Sequence, residues 1–253
     1  MNQLFLRLLT RDALISADCG RRFLTELSRS PSFVPSTYGN TEPIKLRWNE
    51  AAPLEALPSW QPPFLWRRPK PRSGGAVWMA DVPMHGCISL ASGMHDRDGA
   101  AEAHAEATAA LLRRWFSLFD GDFGFVHALA PADVPLGCAA DVVTNLDRAG
   151  TRQTMTLSSH VLVKYLPEIY WAMAFGPSYV QHFTRARLLA APAPVVHELD
   201  GGGVYLQLSE NVEDLVDRPG EIERVRDRRT DNRCSVNLPV LTASPAWGEA
   251  CHV

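Results

Sequence analysis

The sequence lacks the features that mark membrane proteins and secreted proteins. No apolar run approaches the roughly 20 residues that a membrane-spanning helix needs. The apolar start at 4–9 is broken by Arg7 and followed by Arg11 and Asp12, so it is too short for the apolar core of a secretory signal. We therefore interpret 4–9 as a first strand, and we expect a cytoplasmic protein with no membrane partner.

Cysteine is scarce and irregularly spaced. The five cysteines are an odd number and contain no C-x-x-C pair, whereas disulfide frameworks and zinc sites need even or closely spaced sets. We expect reduced thiols, mostly buried as small apolar side chains. They are Cys19, Cys87, Cys138, Cys234 and Cys251.

Neither sign of charge is in large excess. The net charge is −3, with 46% hydrophobic and 21% charged residues in 253. Strong binding to the phosphate backbone of a nucleic acid needs a basic surface, which this balance does not indicate. The mildly acidic composition instead favours a basic protein partner, and we expect no direct nucleic-acid partner.

Common catalytic and cofactor motifs are missing as well. The chain contains no G-x-S-x-G, no G-x-G-x-x-G, no P-loop, and no H-E-x-x-H among its eight histidines. The nearest approaches to a ligand set are His85 with Cys87, and His95 with Asp96 and Asp98. We expect no enzyme, no metal and no cofactor, but a hydrolase or metal site assembled from distant segments stays open.

Hydrophobic periodicity predicts strands and helices in alternation. The clearest helix spans 99–119, and others are predicted at 13–27, from 179 to 183, and in the charged segment 219–232. We expect no regular element in the proline-dense segment 53–71, whose aromatic residues favour packing, and we expect turns over 130–145. The predicted strands are 4–9, 44–48, 76–80, 87–91, 123–129 and 153–157, followed by a hairpin of 195–199 and 204–208.

This order contains several hairpins and no regular βαβ series. It predicts an α+β fold, with antiparallel β-sheets and helices packed on them. We expect a single domain over 1–253, possibly with two similar sheet–helix layers at 1–130 and 131–253, although no sequence repeat supports a duplication.

An aromatic stretch at 166–180 organises the second half of the chain. It combines four aromatic residues, two prolines and a glycine, and it precedes the predicted hairpin. It contains no nucleophile–base pair and no ligand spacing, so it indicates a rigid packing junction. We assign Tyr170, Trp171 and Gly176 to folding.

A second feature is an acidic run around the hairpin. Its carboxylates are Glu198, Asp200, Glu210, Glu213 and Asp214. This run is interpreted either as a solvated face or as an acidic docking surface for a basic partner. The arginines that follow it are too closely mixed with acids to indicate phosphate-backbone binding.

The stretch 166–180 also resembles a known family. It reads Leu-Pro-x-Ile-Tyr-Trp-Ala-x-x-Phe-Gly-Pro-x-Tyr-Val, and together with 187–193 and the hairpin up to Glu210 it is similar to the immunity protein 52 family of type VI secretion systems. The resemblance implies a cytoplasmic antidote, without catalytic residues or cofactor, that binds the effector toxin encoded by the adjacent gene. Toxins paired with this family include restriction-endonuclease-like nucleases.

The resemblance gives the acidic run a possible role. A nuclease needs a basic surface to hold DNA, so an acidic face suits such a partner. The expected contact residues are then Glu198, Asp200, Glu210, Glu213 and Asp214. Two other functions stay open, namely an adaptor or loading component of the secretion system and a hydrolase with dispersed catalytic residues.

Overall fold

The computed structural model describes residues 3–61, 63–78, 85–93, 100–129, 140–147, 150–157 and 170–214, with 140–147 and 150–157 described by backbone alone. The strands in these residues are β1 Gln3–Thr10, β2 Thr37–Gly39, β3 Leu46–Arg47, β4 Phe64–Arg68, β5 Ser73–Trp78, β6 Gly86–Gly93, β7 Gly121–Leu129, β8 Ala140–Asp147, β9 Gly150–Leu157, β10 Ala172–Phe175, β11 Val195–Glu198 and β12 Val204–Gln207. The α-helices are α1 Ala17–Ser28, α2 Ala100–Leu118, α3 Pro177–Phe183 and α4 Arg185–Leu189.

The predicted α+β class is confirmed. Within the described residues, ten strands form one antiparallel sheet in the order β11-β12-β10-β7-β1-β6-β5-β4-β2-β3, and β8 pairs with β9 in a separate hairpin. β1 lies between β6 and β7, with Leu6 opposite both Leu90 and Val126. Strands from both halves of the chain share this sheet, because β10 pairs with β7.

One face of the sheet packs against α1 and α2. Phe23 of α1 is at the centre, with its ring centroid 5.2 Å from Trp60, 5.2 Å from Trp66 and 5.4 Å from Trp115. Each of these aromatic side chains is buried. The aromatic residues of the proline-dense segment therefore do pack into the core, as the sequence predicts.

The opposite face carries α3 and α4 at the β10–β12 end. The Tyr170 ring stacks on Phe125 with centroids 3.8 Å apart, and Tyr179 and Phe183 of α3 are part of the same cluster. Trp171 points to the other face, where it joins the cluster under α1 and α2, as expected from the alternation of side chains in extended backbone. Tyr170 and Trp171 are both fully buried, which confirms their assignment to folding.

Two predictions are wrong, one about the strand at 44–48 and one about the absence of regular elements in 53–71. The half-buried strand expected at 44–48 is only the two-residue β3, and both of its residues are exposed, because β3 is an edge strand paired with a three-residue neighbour. The proline-dense segment does hold regular elements, since a 3-10 helix spans Pro53–Ser59 and β4 fits between Pro63 and Pro69. Pro53 is at the first position of this helix, where the missing N–H of proline would form no hydrogen bond within the helix.

Other boundaries shift or lie outside the described residues. α1 begins at Ala17 rather than 13, because the Ser16 hydroxyl accepts a hydrogen bond of 3.1 Å from the Cys19 N–H and caps the helix. A strand begins at Ala140, inside the segment expected to form turns. The predicted helix at 219–232 and the residues Asp96 and Asp98 lie outside the described residues, so those predictions stay open.

The close approach of Gly176 to β7 generates a test of packing. The Gly176 N–H donates to the Asp122 carbonyl oxygen at 2.8 Å, and a Cβ at this position would lie 2.3 Å from the Gly121 carbonyl oxygen. We expect Gly176→Ala to lower the free energy of unfolding by about 1–3 kcal/mol through overpacking, measured by urea denaturation. Gly39→Ala is the control, because the nearest atom to its Cβ is the Ile44 Cγ2 at 3.7 Å. Equal losses in the two variants would contradict the steric explanation.

Candidate functional site

The structure divides the predicted acidic contact residues between the two ends of β12. Glu198 and Asp200 lie at the hairpin turn that precedes the strand, whereas Glu210, Glu213 and Asp214 follow its other end. Consecutive residues in a strand advance by roughly 3.3 Å, so these two groups do not form one continuous cluster. The predicted contact residues therefore lie at both ends of β12, and their role in binding a partner stays a prediction.

At the hairpin end, one of the two charges is already paired. The Arg185 guanidinium binds Glu198 through two hydrogen bonds, with Nε 2.8 Å from Oε1 and Nη2 on Oε2. These bonds and the arginine charge lower the pKa of Glu198, although both side chains are about half exposed. Asp200 is exposed on the turn, which Gly201 and Gly202 form with φ angles of 79° and 84°.

At the other end, the turn after β12 packs against the first half of α2. The Val212 N–H donates to the Glu102 Oε2 at 3.2 Å, and the Val212 side chain is buried. Burial raises the pKa of the Glu102 carboxyl, and the nearby charges of Glu213, Glu106 and Asp214 raise it further. We call Glu102, Glu106, Glu213 and Asp214 the acidic patch.

Glu102 and Glu106 are partner-site candidates that the sequence reasoning missed. Both lie near the start of α2, where a negative charge interacts favourably with the helix dipole, and this explains acidic residues there without a partner. Their four-residue spacing on α2 does indicate that they share a helix face. The sequence does not indicate that the 210–214 turn, more than a hundred residues later, lies against that face.

A polar cluster joins the acidic patch to the hairpin. Arg113 of α2 pairs with Glu106 at 2.8 Å, and its guanidinium carbon lies 4.8 Å from the centre of the Tyr205 ring. His197 stacks on the same ring with centroids 5.0 Å apart. Burial and the Arg113 charge lower the pKa of His197. The cluster links α2 to β11 and β12 through side-chain contacts, and so connects Glu106 of the acidic patch to the hairpin.

A second group of titratable side chains surrounds Asp122 at the start of β7. The Oδ2 of Asp122 lies 2.8 Å from the His85 Nε2 and 3.1 Å from the Arg11 Nη2, and the Ser178 side chain also hydrogen-bonds the carboxylate. Burial by itself would raise the pKa of Asp122, but these hydrogen bonds and the Arg11 charge lower it. The carboxylate is therefore ionised and serves as the acceptor for three separate segments of the chain.

This geometry differs from that of a serine hydrolase. A serine nucleophile transfers its proton to a histidine that the acid orients, so the histidine lies between the other two. Here Asp122 lies between His85 and Ser178. The cluster instead connects the end of β1, the start of β6 and the start of α3 to β7.

The described thiols are poorly suited to nucleophilic chemistry. Cys19 is buried and Cys87 is partly buried, and neither forms a disulfide. Burial raises the pKa of the Cys19 thiol to about 12 and also raises the pKa of Cys87, so both are protonated at neutral pH. Cys138, Cys234 and Cys251 lie outside the described residues.

The described residues form neither a membrane-spanning helix nor a metal-binding cluster. No helix in those residues combines the length and the apolar composition that crossing a bilayer requires. Within the same residues, no three side chains of His, Cys, Asp or Glu come together in an arrangement that could hold a metal ion.

Comparison with known proteins finds similarity in fold rather than in sequence. No protein-family model matches the chain, and no curated protein matches its sequence. The T6SS protein PA0821 of Pseudomonas aeruginosa has a related structure, with a TM-score of 0.51 and 11% sequence identity over 81% of this chain and 68% of that one. At that identity the likeness shows the fold alone, and membership of the immunity protein 52 family stays a prediction.

The ionised, buried Asp122 predicts a pH-dependent contribution to stability. A carboxyl whose pKa is lowered by folding stabilises the protein above its unfolded pKa of about 3.9 and loses that contribution as the pH falls through the folded value. We expect Asp122→Asn to lower the free energy of unfolding by about 1.5–3 kcal/mol at pH 7, because hydrogen bonds to a charged group are lost. Urea unfolding at pH 7, 5 and 3 should show the difference from wild type narrowing at the lowest pH.

The exposed Asp200→Asn is the matched control for this series. It makes the same chemical change outside the Asp122 cluster, and we expect little change in stability at any of the three pH values. A constant difference between Asp122→Asn and wild type from pH 7 to 3 would contradict the assigned charge state.

Proposed function

We propose that this chain is a type VI secretion immunity protein that binds a cognate effector toxin and neutralises it. The observation that carries the proposal is the fold shared with a Pseudomonas aeruginosa protein whose name assigns it to such a system. The resemblance of the sequence 166–180 to the immunity protein 52 family supports the same assignment. A nuclease partner, proposed below, would reach its DNA substrate in the cytoplasm, so the proposal includes that location for this chain.

The acidic patch supports binding to a basic partner. Glu106 and Glu213 are exposed, Glu102 and Asp214 are partly exposed, and α2 and the 210–214 turn hold them together. A nuclease must hold the phosphate backbone with Lys and Arg, and these side chains complement a negative surface. We therefore propose a nuclease toxin as the partner, with inhibition by covering its DNA-binding surface.

An adaptor that loads an effector onto the secretion apparatus is the alternative. Such a protein would also bind an effector but would leave the toxin active. A hydrolase has no support from the Asp122 cluster, because Ser178 contacts the carboxylate rather than the histidine. Binding and protection against toxicity are therefore the two properties that have to be measured separately.

The first test is co-expression with the product of the adjacent gene. If the proposal is correct, cells that express this toxin survive only when the chain is present, and the two proteins co-purify in a fixed ratio. A toxin with an inactivated catalytic site is the control, since it should still bind. A stable complex without survival would favour the adaptor, and the absence of both would contradict the proposal.

The second test examines the acidic patch by charge reversal. We expect Glu213→Lys with Asp214→Lys to weaken toxin binding about tenfold or more, equivalent to roughly 1.4 kcal/mol, because the new positive charges face a basic surface. Binding is measured by titration calorimetry at low and high salt, and the wild-type affinity should fall as salt screens the contact.

The control for charge reversal is Glu42→Lys with Glu50→Lys. Both of these carboxylates are exposed near the opposite edge of the sheet, so the control makes the same change in net charge at a different place. Equal affinities for the two double variants, each folded, would exclude the acidic patch as the contact surface.

A further inference from the structure

The edge strand β11 presents unpaired backbone groups. The Leu199 N–H donates to the Gly203 carbonyl oxygen at 2.9 Å, which sets the hydrogen-bonding phase of the hairpin. Hydrogen-bonded residues alternate along an antiparallel pair, so Val195 and His197 bond to β12. The N–H and C=O groups of Val196 and Glu198 consequently point outward, where no strand in the described part of the chain pairs with them.

The pairing of β12 with β10 independently indicates the same alternation of inward and outward backbone groups. The Leu208 N–H donates to the Trp171 carbonyl oxygen at 2.8 Å, so the backbone groups of Leu206 and Val204 face β10. Those of Tyr205 and Gln207 then face β11. The hydrogen bonds Leu199–Gly203 and Leu208–Trp171 therefore both indicate that the backbone N–H and C=O groups of Val196 and Glu198 point away from β12.

The surroundings of this edge supply side-chain contacts. Leu189 of α4 is 36% exposed, and α4 packs against β11, whose Val196 is only partly buried. Thr184, directly before α4, has a φ of 64°, which is strained for a β-branched residue. Strained residues of this kind cluster at binding and switch regions. The edge therefore combines outward backbone groups with an adjacent apolar side chain.

The opposite edge of the sheet differs. β3 has two residues, and the Trp48 N–H donates to the Ser36 carbonyl oxygen at 3.0 Å, so Leu46 bonds inward to β2. Only Arg47 of this strand turns its backbone outward. β11 offers twice as many outward residues and is the better template for another strand.

We propose that the effector partner docks by adding an extended segment of its own chain to the outer edge of β11. This inference rests on the proposed function and specifies how the partner is recognised. The outward N–H and C=O groups of Val196 and Glu198 alternate at the spacing of a strand, which an extended backbone matches. The added strand would lie beside His197 and Val195 on one face of the sheet, and beside Val196 and Leu189 on the other.

This placement is continuous with the acidic patch. His197 stacks on Tyr205, and Arg113 lies over the same ring while pairing with Glu106. A partner bound along β11 would therefore reach Glu106 across the α2 face. The edge would fix the position of the partner, and the acidic patch would add charge complementarity.

The test uses the outward N–H of Val196, which pairs with no strand in the described part of the chain. Val196→Pro removes this donor and places a ring on the edge, yet leaves the bonds of Val195 and His197 to β12 in place. We expect Val196→Pro to weaken binding of the adjacent gene product at least tenfold relative to Val196→Ala, which keeps the donor. Circular dichroism and urea unfolding check that both variants fold.

Amide hydrogen exchange on the wild-type protein provides a second measurement that needs no variant. The amides of Val196 and Glu198 should exchange rapidly in the free protein and become protected in the complex, while those of Val195 and His197 are protected in both. Unchanged exchange at 196 and 198 in a saturated complex would overturn the proposal even if Val196→Pro fails to fold.

The outcomes separate this inference from the proposed function. A wild-type complex that protects cells and also forms with Val196→Pro would overturn the edge while leaving the immunity function intact. Loss of binding with Val196→Pro but no protection by wild type would support the edge and contradict immunity. Protection of the two amides in the free protein, with self-association that Val196→Pro abolishes, would assign the edge to a second copy and overturn the effector assignment.

Discussion

The structure depends on the burial of β1 on both faces of the sheet. Leu4, Leu6 and Leu8 face the cluster under α1 and α2, while Phe5 and Leu9 face the cluster that α3 covers. A strand that is apolar on both faces needs a neighbour on each side and a layer on each surface. β6, β7 and the two helical layers meet this need, so the first strand of the chain determines where the later elements pack.

The second half of the chain joins this core through β7. β10 pairs with β7 and places Tyr170 on Phe125 and Trp171 on the opposite face. The buried Asp122 reinforces the same junction with hydrogen bonds from three segments. Since a buried carboxylate is stable only when it is paired, the surrounding elements are held in one arrangement. The β11–β12 hairpin continues the same sheet beyond β10.

The negative charge of the candidate site arises from the packing of distant segments rather than from the number of acidic residues in one stretch of sequence. The acidic run at 198–214 contains the charges that the sequence suggests, but Arg185 compensates Glu198. The concentrated negative surface forms where the turn after β12 contacts α2 and brings Glu213 and Asp214 towards Glu102. A shared field at close range raises on-rate and selectivity more than scattered surface charges do.

The sequence by itself determined the local elements. Period-2 and helical patterns located β1, α2 and β7, the Asp-Gly turn located the β11–β12 hairpin, and the aromatic density at 166–180 indicated a buried junction. These features follow from propensity and amphipathicity within short windows. The same reasoning failed where the neighbouring strands determine the structure. β3 is short because it is an edge strand, and β4 forms between two prolines.

Only the tertiary structure decided which distant residues share a surface. The order of the strands, the pairing of His85 and Ser178 with Asp122, and the proximity of Glu102 to Asp214 depend on contacts between segments far apart in the chain. The outward direction of the Val196 and Glu198 backbone groups likewise depends on how β12 pairs with β11 on one side and with β10 on the other. The physical reason is that periodicity records how one residue relates to its near neighbours, whereas a binding surface is assembled by long-range burial and pairing.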